Sequence, residues 1–358
     1  MNGRPIRVAR LAGGPADIGL GHGEAYADEI VDYAADRLAL SGQGTQLRPD
    51  QLRDLAERCL PAHRAYAEDL TVEMEAIAAG AGIGVADALI LGGYTDFIDV
   101  VRAAAGTARV DDTCTAVIVP DSRAGGAGFL AQTWDMNASA TPHILMLDLE
   151  PSSGPAALVF STVGCVGQIG MNEAGIAVGI NNLTAADGRI GVTWPFVVRK
   201  ALQQTDFDAA VSCVLDAPLA GGHNFLIFDA AGNGVSIEAM PTATHVDRME
   251  ADPLVHTNHC VASSTRSVEA SRPADLQQSS LVRLAQAREL LATDSVGLAD
   301  LIALTRDERS ICRHPDPVYS YESCGAAIMR PRTREMWACW GIPAENEYER
   351  FDLAGAGV

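Results

Sequence analysis

Long apolar runs are what this 358-residue chain most clearly lacks. No stretch approaches the roughly 20 apolar residues that a membrane span needs, and the basic opening Arg4-Pro5-Ile6-Arg7 is not followed by the apolar core of a secretion signal. No membrane partner is expected, and a soluble cytoplasmic protein is the default. Positive charge is scarce too: 26 Lys and Arg face 46 Asp and Glu, a net charge of −20. Such a surface repels a phosphate backbone, so nucleic acid is not an expected partner. The one basic cluster, Arg330-Pro331-Arg332-Thr333-Arg334, reads as a turn between strands. Eight cysteines are scattered without a paired framework and read as reduced thiols, most of them small buried hydrophobes. There is no repeat and no low-complexity segment.

What is present is apolar content of 48%, enough for a large core in one domain or two. After a short strand-like stretch at 6–10, apolar residues recur at helical spacing over 16–40, 52–60 and 65–79, so the first hundred residues read as mostly helical. From residue 114 the pattern changes. Short apolar or alternating runs at 115–119, 128–133, 144–149, 157–162 and 175–180 are separated by Gly, Pro, Asn and Asp, as in a meander of antiparallel strands. Helical patterns return at 195–204, 206–215, 280–292 and 296–304, among further strands at 224–229, 235–239, 326–329 and 335–338. The polar stretch 262–280 is expected to be a long loop. Strand groups alternating with helix pairs indicate an α+β protein of stacked layers.

At that change of pattern stands Asp111-Asp112-Thr113-Cys114-Thr115, just before the apolar run 116–119, with Gln132-Thr133-Trp134-Asp135 one hairpin later. Three more short segments follow: Ile169-Gly170-Met171-Asn172-Glu173-Ala174-Gly175, Val255-His256-Thr257-Asn258-His259-Cys260 and Ser310-Ile311-Cys312-Arg313. In order and spacing these five segments resemble the cysteine N-terminal-nucleophile (Ntn) hydrolases, specifically the autoproteolytic family that includes isopenicillin N acyltransferase. Gly19-Leu20-Gly21-His22-Gly23 and Gly80-Ala81-Gly82 add weaker likeness.

The resemblance implies a four-layer αββα sandwich with a helical N-terminal segment. It also implies a scissile Thr113–Cys114 bond, giving residues 1–113 as a small subunit and 114–358 as the catalytic core, a heterodimer of its own fragments. Cleavage would free the α-amine of Cys114. That amine, with a pKa of about 7.7–8.0, can take the proton of a thiol near 8.5, so no separate catalytic His is needed. Family members commonly carry Gly before the Cys. Thr113 is β-branched and crowds the attacked carbonyl, which predicts slow cleavage. By the same resemblance Asp135 orients thiol and amine, Asn258 donates to an oxyanion, Asn181 is a second site-lining Asn, and Arg313 favours the ionised sulfur.

The expected activity is hydrolysis of a linear N-acyl amide through a Cys114 thioester. Transfer of the acyl group to an amine is the close alternative, and an unprocessed binding protein is the alternative of another class. The substrate is a small molecule, no cofactor is expected, and homo-oligomers are left open. Trp134, Met136, Trp194 and Phe196 are candidates for an apolar acyl pocket, although such aromatics commonly belong to cores. A zinc site drawn from His256, His259, Cys260, Cys312 and His314 is disfavoured, because residues three apart at a strand end face opposite sides. The glycines at 19–23 lack the Lys-Ser/Thr of a phosphate loop and read as a tight turn or helix packing.

Overall fold

A computed structural model describes residues 4–109, 113–315, 318 and 320–353. Asp111 and Asp112 of the nucleophile segment lie outside the described residues. The chain opens with β1 (Val8–Gly13) and continues through α1 (Pro15–Ala25), α2 (Ala27–Ser41), α3 (Pro49–Tyr66), α4 (Glu68–Ala81), α5 (Val85–Gly92) and α6 (Tyr94–Ala105). Pro15 and Pro49 open their helices where the missing N–H has no partner to lose. The glycines at 19–23 are packing glycines: a Cβ on Gly19 would come within 2.2 Å of the Glu73 carbonyl oxygen in α4.

Two sheets follow. The first runs in the order β1, β4 (Ile144–Pro151), β5 (Ala157–Thr162), β6 (Ile169–Asn172), β7 (Ile176–Leu183), β8 (Gly222–Asp229), β9 (Gly234–Ala239) and β10 (Thr244–Arg248). β1 joins β4 in parallel, so the segment ahead of Cys114 contributes a strand to the core sheet. The second runs β11 (Leu254–His256), β2 (Thr113–Val119), β3 (Phe129–Asn137), β12 (Tyr321–Arg330), β13 (Glu335–Trp340) and β14 (Tyr348–Asp352). Its five pairings are all antiparallel.

Alternation along the strands fixes the layers. On β2, Cys114, Ala116 and Ile118 join the core that extends between the sheets. Val117 and Val119 turn the other way, to Ala287 of α10 (Ala274–Leu290) and Leu301 and Leu304 of α11 (Leu298–Thr305). α7 (Trp194–Leu202) and α8 (Phe207–Leu215) lie with α4 on the outer side of the first sheet. The four-layer αββα order is therefore present.

Local departures have local causes. The stretch expected as a loop at 262–280 holds the short α9 (Ser263–Arg266) and the first turns of α10. Residues 274–279 are mostly polar and bury only Leu276, so no apolar period announced them. β10 is exposed along its whole length and lacks the alternation that marks a half-buried strand. The basic cluster at 330–334 does form the turn between β12 and β13.

Candidate active site

Cys114 is the second residue of β2, and antiparallel register places it opposite Trp134 and its predecessor Thr113 opposite Asp135. Cys114 is 3% exposed. Its backbone turns away from β3. The N–H donates to Asn258 Oδ1 at 2.6 Å, and the carbonyl accepts from Asn181 Nδ2 at 3.3 Å and from Arg283 Nη1.

Asn258 lies two residues beyond β11, in a loop held by α10. Its backbone N–H donates to Ser280 Oγ at 2.9 Å, and Oδ1 accepts a second bond from Arg283 Nη2 at 2.8 Å. Its Nδ2 donates to the Asn182 carbonyl at 3.1 Å. With donors facing one side and an acceptor the other, the amide orientation is determined. The oxygen of Asn258, not its NH2, faces Cys114. Asn181 reaches across from β7, dividing Nδ2 between the carbonyls of Cys114 and His256. Asn224 Nδ2 donates to its oxygen at 3.3 Å, and Asn224 Oδ1 in turn accepts from Ser236 Oγ at 2.8 Å. A file of oriented dipoles thus links the first sheet to Cys114.

Asp135 is fully buried and accepts from Ser323 Oγ at 2.7 Å, while its Oδ2 has no well-formed hydrogen bond among the described residues. Burial pushes its carboxyl up to about 6, against the pull of Arg283, Ser323 and Arg313. A β-bulge between Ser323 and Gly325 re-aims Ser323 at this carboxylate. Arg313 is tied to the same serine through its main chain, its N–H donating to Ser323 Oγ at 2.9 Å and its carbonyl accepting from Ser323 N at 3.0 Å. Its guanidinium stands 6.0 Å from the Tyr321 ring centroid.

Cys114, Asp135, Asn181, Asn258 and Arg313 therefore converge, and Trp134 and Met136 lie on the strand beside them, both buried. Trp194 and Phe196 go elsewhere. Trp194 stacks on His223 at 5.2 Å and Phe196 meets His63 edge-on at 4.5 Å. His223 alternates with Asn224, whose side chain points to Asn181, so these aromatics belong to the opposite face of the first sheet. Sequence reading missed Ser323, Asn224 and above all Arg283. The available signal was position: Arg283 shares the buried stripe of α10 with Leu276, Ser280, Leu284 and Ala287.

The other seven cysteines are buried, and burial pushes every one of their thiols up, Cys324 and Cys339 to about 12. No group of three or more His, Cys, Asp or Glu among the described residues could hold a metal ion. His256 is instead engaged by Glu238 at 2.9 Å, and His259 by Ser280 at 2.7 Å.

With this geometry in view, the likeness to known proteins is specific. Residues 122–345 match the sequence model of the family described as acyl-coenzyme A:6-aminopenicillanic acid acyl-transferase. The chain belongs to this family. The matched stretch begins just after β2 and takes in Asp135, Asn181, Asn258 and Arg313. A relative from Emericella nidulans, acyl-coenzyme A:6-aminopenicillanic-acid-acyltransferase 40 kDa form, is 26% identical over 269 residues, covering 73% of this chain and 71% of the relative. Among solved structures, a conjugated bile acid hydrolase from Clostridium perfringens aligns with TM-score 0.45 and 10% identity, over 67% of this chain and 97% of that one. Penicillin V acylase from Agrobacterium tumefaciens aligns with TM-score 0.38 and 12% identity, over 63% and 82%. These structural overlaps are too partial to carry a residue role across. The family is described by acyl transfer, and the Emericella relative carries the same description.

Proposed function

We propose that the protein is a self-processing cysteine amide hydrolase that cleaves small linear N-acyl amides through a Cys114 thioester. The observation that carries this reading is the convergence on one residue: the N–H of Cys114 is held by Asn258, its carbonyl by Asn181 and Arg283, and a buried carboxylate lies opposite Thr113. In the first reaction Cys114 Sγ attacks the Thr113 carbonyl, the peptide nitrogen leaves as the α-amine of Cys114, and water hydrolyses the thioester. In turnover the amine takes the thiol proton, Sγ attacks the substrate carbonyl, the substrate amine departs with that proton, and water releases the acid.

Asp135, ionised above about pH 6, serves as the counter-charge of the α-ammonium between steps. Asn258 Oδ1 is already placed to accept from the same nitrogen. An oxyanion role for Asn258 requires its Nδ2 to leave Asn182, and Asn181 is the second amide lining that side. Trp134 and Met136 supply the apolar wall for the acyl group.

The fragments 1–113 and 114–358 stay together after cleavage as a heterodimer. The buried Glu73–Arg199 pair at 3.0 Å, the Asp96–His223 pair at 2.8 Å and the β1–β4 ladder all cross the seam. Among the described residues no single helix is long and apolar enough to cross a membrane. Eight cysteines outside disulfides accord with a reducing, cytoplasmic setting.

The second reading, transfer of the acyl group to an amine, is favoured by the family's description and by the Emericella relative. Denaturing intact mass of the protein beside Cys114→Ala, followed by a screen of N-acyl amides with and without an added amine, tests both. Two fragments meeting at Thr113 and Cys114, formed only by the parent and accompanied by thiol-dependent turnover, are expected. One full-length species and no turnover in either protein would replace the enzyme with a binding protein.

A further inference from the structure

We infer that Arg283 is the positioning residue of the site: one buried guanidinium fixes the backbone of Cys114 at both ends and supplies the cation that a Cys114 thiolate requires. The inference rests on the reading of Cys114 as nucleophile and adds a residue that no motif assigned.

The first ground is geometric. Arg283 is fully buried. Its Nη1 donates to the Cys114 carbonyl and to Thr115 Oγ1 at 3.1 Å, its Nη2 to Asn258 Oδ1 at 2.8 Å, and its Nε to Ser279 Oγ at 3.4 Å. Asn258 Oδ1 is the atom that holds the Cys114 nitrogen. The guanidinium thus grips the residue directly at its carbonyl and indirectly at its nitrogen, which sets the direction in which Sγ leaves the backbone. A planar fork can do this and a point charge cannot. Ser280, three residues earlier on the same face of α10, holds the Asn258 backbone, so one helix positions the whole assembly.

The second ground is charge. Each hydrogen bond that Arg283 makes among the described residues goes to a neutral acceptor: a carbonyl, two hydroxyls and an amide oxygen. A structural arginine this deep ordinarily sits against a carboxylate, as Arg199 does with Glu73. The groups around Cys114 are Asp135 from β3, Arg283 from α10, Arg313 from the segment after α11, Arg272 from the segment before α10, and His259 with the His256–Glu238 pair beyond Asn258. The anionic groups that act on Arg283 are Asp135 and an ionised Cys114. Burial lowers Arg283 to about 10, with Asp135 and Cys114 pulling the other way, so it keeps its proton across the working range.

The experiment is native alkylation of Cys114 by iodoacetamide across pH 5–10, read by peptide mass in the parent, Arg283→Gln and Arg283→Lys, with fragment formation followed in the same samples and folding by circular dichroism. The seven other thiols, all pushed up by burial, are internal controls. Arg283→Gln is expected to raise the alkylation midpoint of Cys114 by about 1 pH unit or more and to slow fragment formation about 100-fold. Arg283→Lys keeps the midpoint within about half a unit yet still slows fragments about tenfold, because charge is retained and the fork is lost.

A folded Arg283→Gln with the parent's midpoint overturns the electrostatic role. Should Arg283→Gln fail to fold, Arg283→Lys with the parent's rate of fragment formation overturns the positioning role. Alkylation needs neither cleavage nor turnover, so a parent that labels at Cys114 with an Arg283-dependent midpoint but never processes would count against the enzyme reading alone.

Discussion

Two buried polar clusters lie on opposite faces of the first sheet, and they are built differently. On the inner face, Asn181 of β7, Arg283 of α10 and Asn258 of its loop converge on the backbone of Cys114, with Ser323 of β12 bonded to Asp135 of β3 beside them. On the outer face, Asp96 and Asp99 of α6 receive backbone N–H groups: Trp194 at 2.7 Å for Asp96, and Ala185 at 3.0 Å and Gly222 at 3.2 Å for Asp99. His63 of α3 works in the same way, accepting from Thr193 N at 3.0 Å. The outer cluster fastens the helical segment to loops of the core. The inner one fastens a single residue, and among the described residues the hydrogen bonds of its Arg283 go to neutral groups. Perturbed acidity does not tell them apart, since burial pushes Asp99 up to about 7, further than Asp135. What separates them is the kind of partner.

The largest expected contrast is therefore between two isosteric changes. Asp135→Asn should lower amide turnover by about 100-fold or more while the melting temperature stays within a few degrees of the parent. Asp99→Asn should leave the rate constants within about twofold, because its partners are Arg102 and the N–H groups of Ala185 and Gly222, not the groups that hold Cys114. Steady-state kinetics beside calorimetry decides the matter, and a reversal of the two outcomes would dissolve the comparison.

A smaller effect concerns pH. Both carboxyls are raised, so the folded chain holds their protons more tightly than the unfolded one, and each contributes stability that declines as pH rises from about 4 to its folded value. As pH rises from about 4 to 7, the parent's melting temperature should accordingly fall relative to that of Asp99→Asn, which lacks this titration. Turnover moves in the opposite sense: it should rise through a midpoint near 6, where Asp135 ionises, and Asp135→Asn should erase that limb. An unchanged acid limb in Asp135→Asn would remove the carboxylate from the mechanism.

The smallest effects concern the aromatics. Phe196→Leu trims a ring packed on His63 and should cost about 1–2 kcal/mol of stability, or a few degrees, with KM unmoved. Trp134→Leu, opposite Cys114, should shift KM several-fold across a series of acyl chain lengths. Equal shifts from both variants would mean that the acyl pocket spans the sheet.

These contrasts also mark what could be read in advance. The strand carrying Cys114, the Trp134-Asp135 pair and the Asn258 loop were legible because short motifs sit where strands meet turns, and strand register then dictates who faces whom. Arg283 was not, because an arginine on an amphipathic helix ordinarily snorkels to solvent. Only the packing of α10 against β2 turns it inward. Trp194 was a pocket candidate as an aromatic whose partner the local sequence does not reveal: the histidine that stacks on its ring lies on β8, remote in sequence. Asn258 was singled out by its motif, but which end of its amide faces Cys114 depends on Arg283 and Asn182.

β1 has a consequence for how the molecule is made. Val8 is paired with Met146, so the strand that opens the chain leaves the ribosome long before its ladder partner exists. Six helices emerge in the meantime, with Ile30, Leu52, Leu70, Ile77 and Phe97 among the side chains that end fully covered. The helices can pack on one another, but β1 stays unpaired until β4 arrives. Synthesis of the first segment by itself should give a sticky, aggregation-prone product, and the order of translation, more than the strength of any one contact, sets when the nascent chain becomes safe from its neighbours.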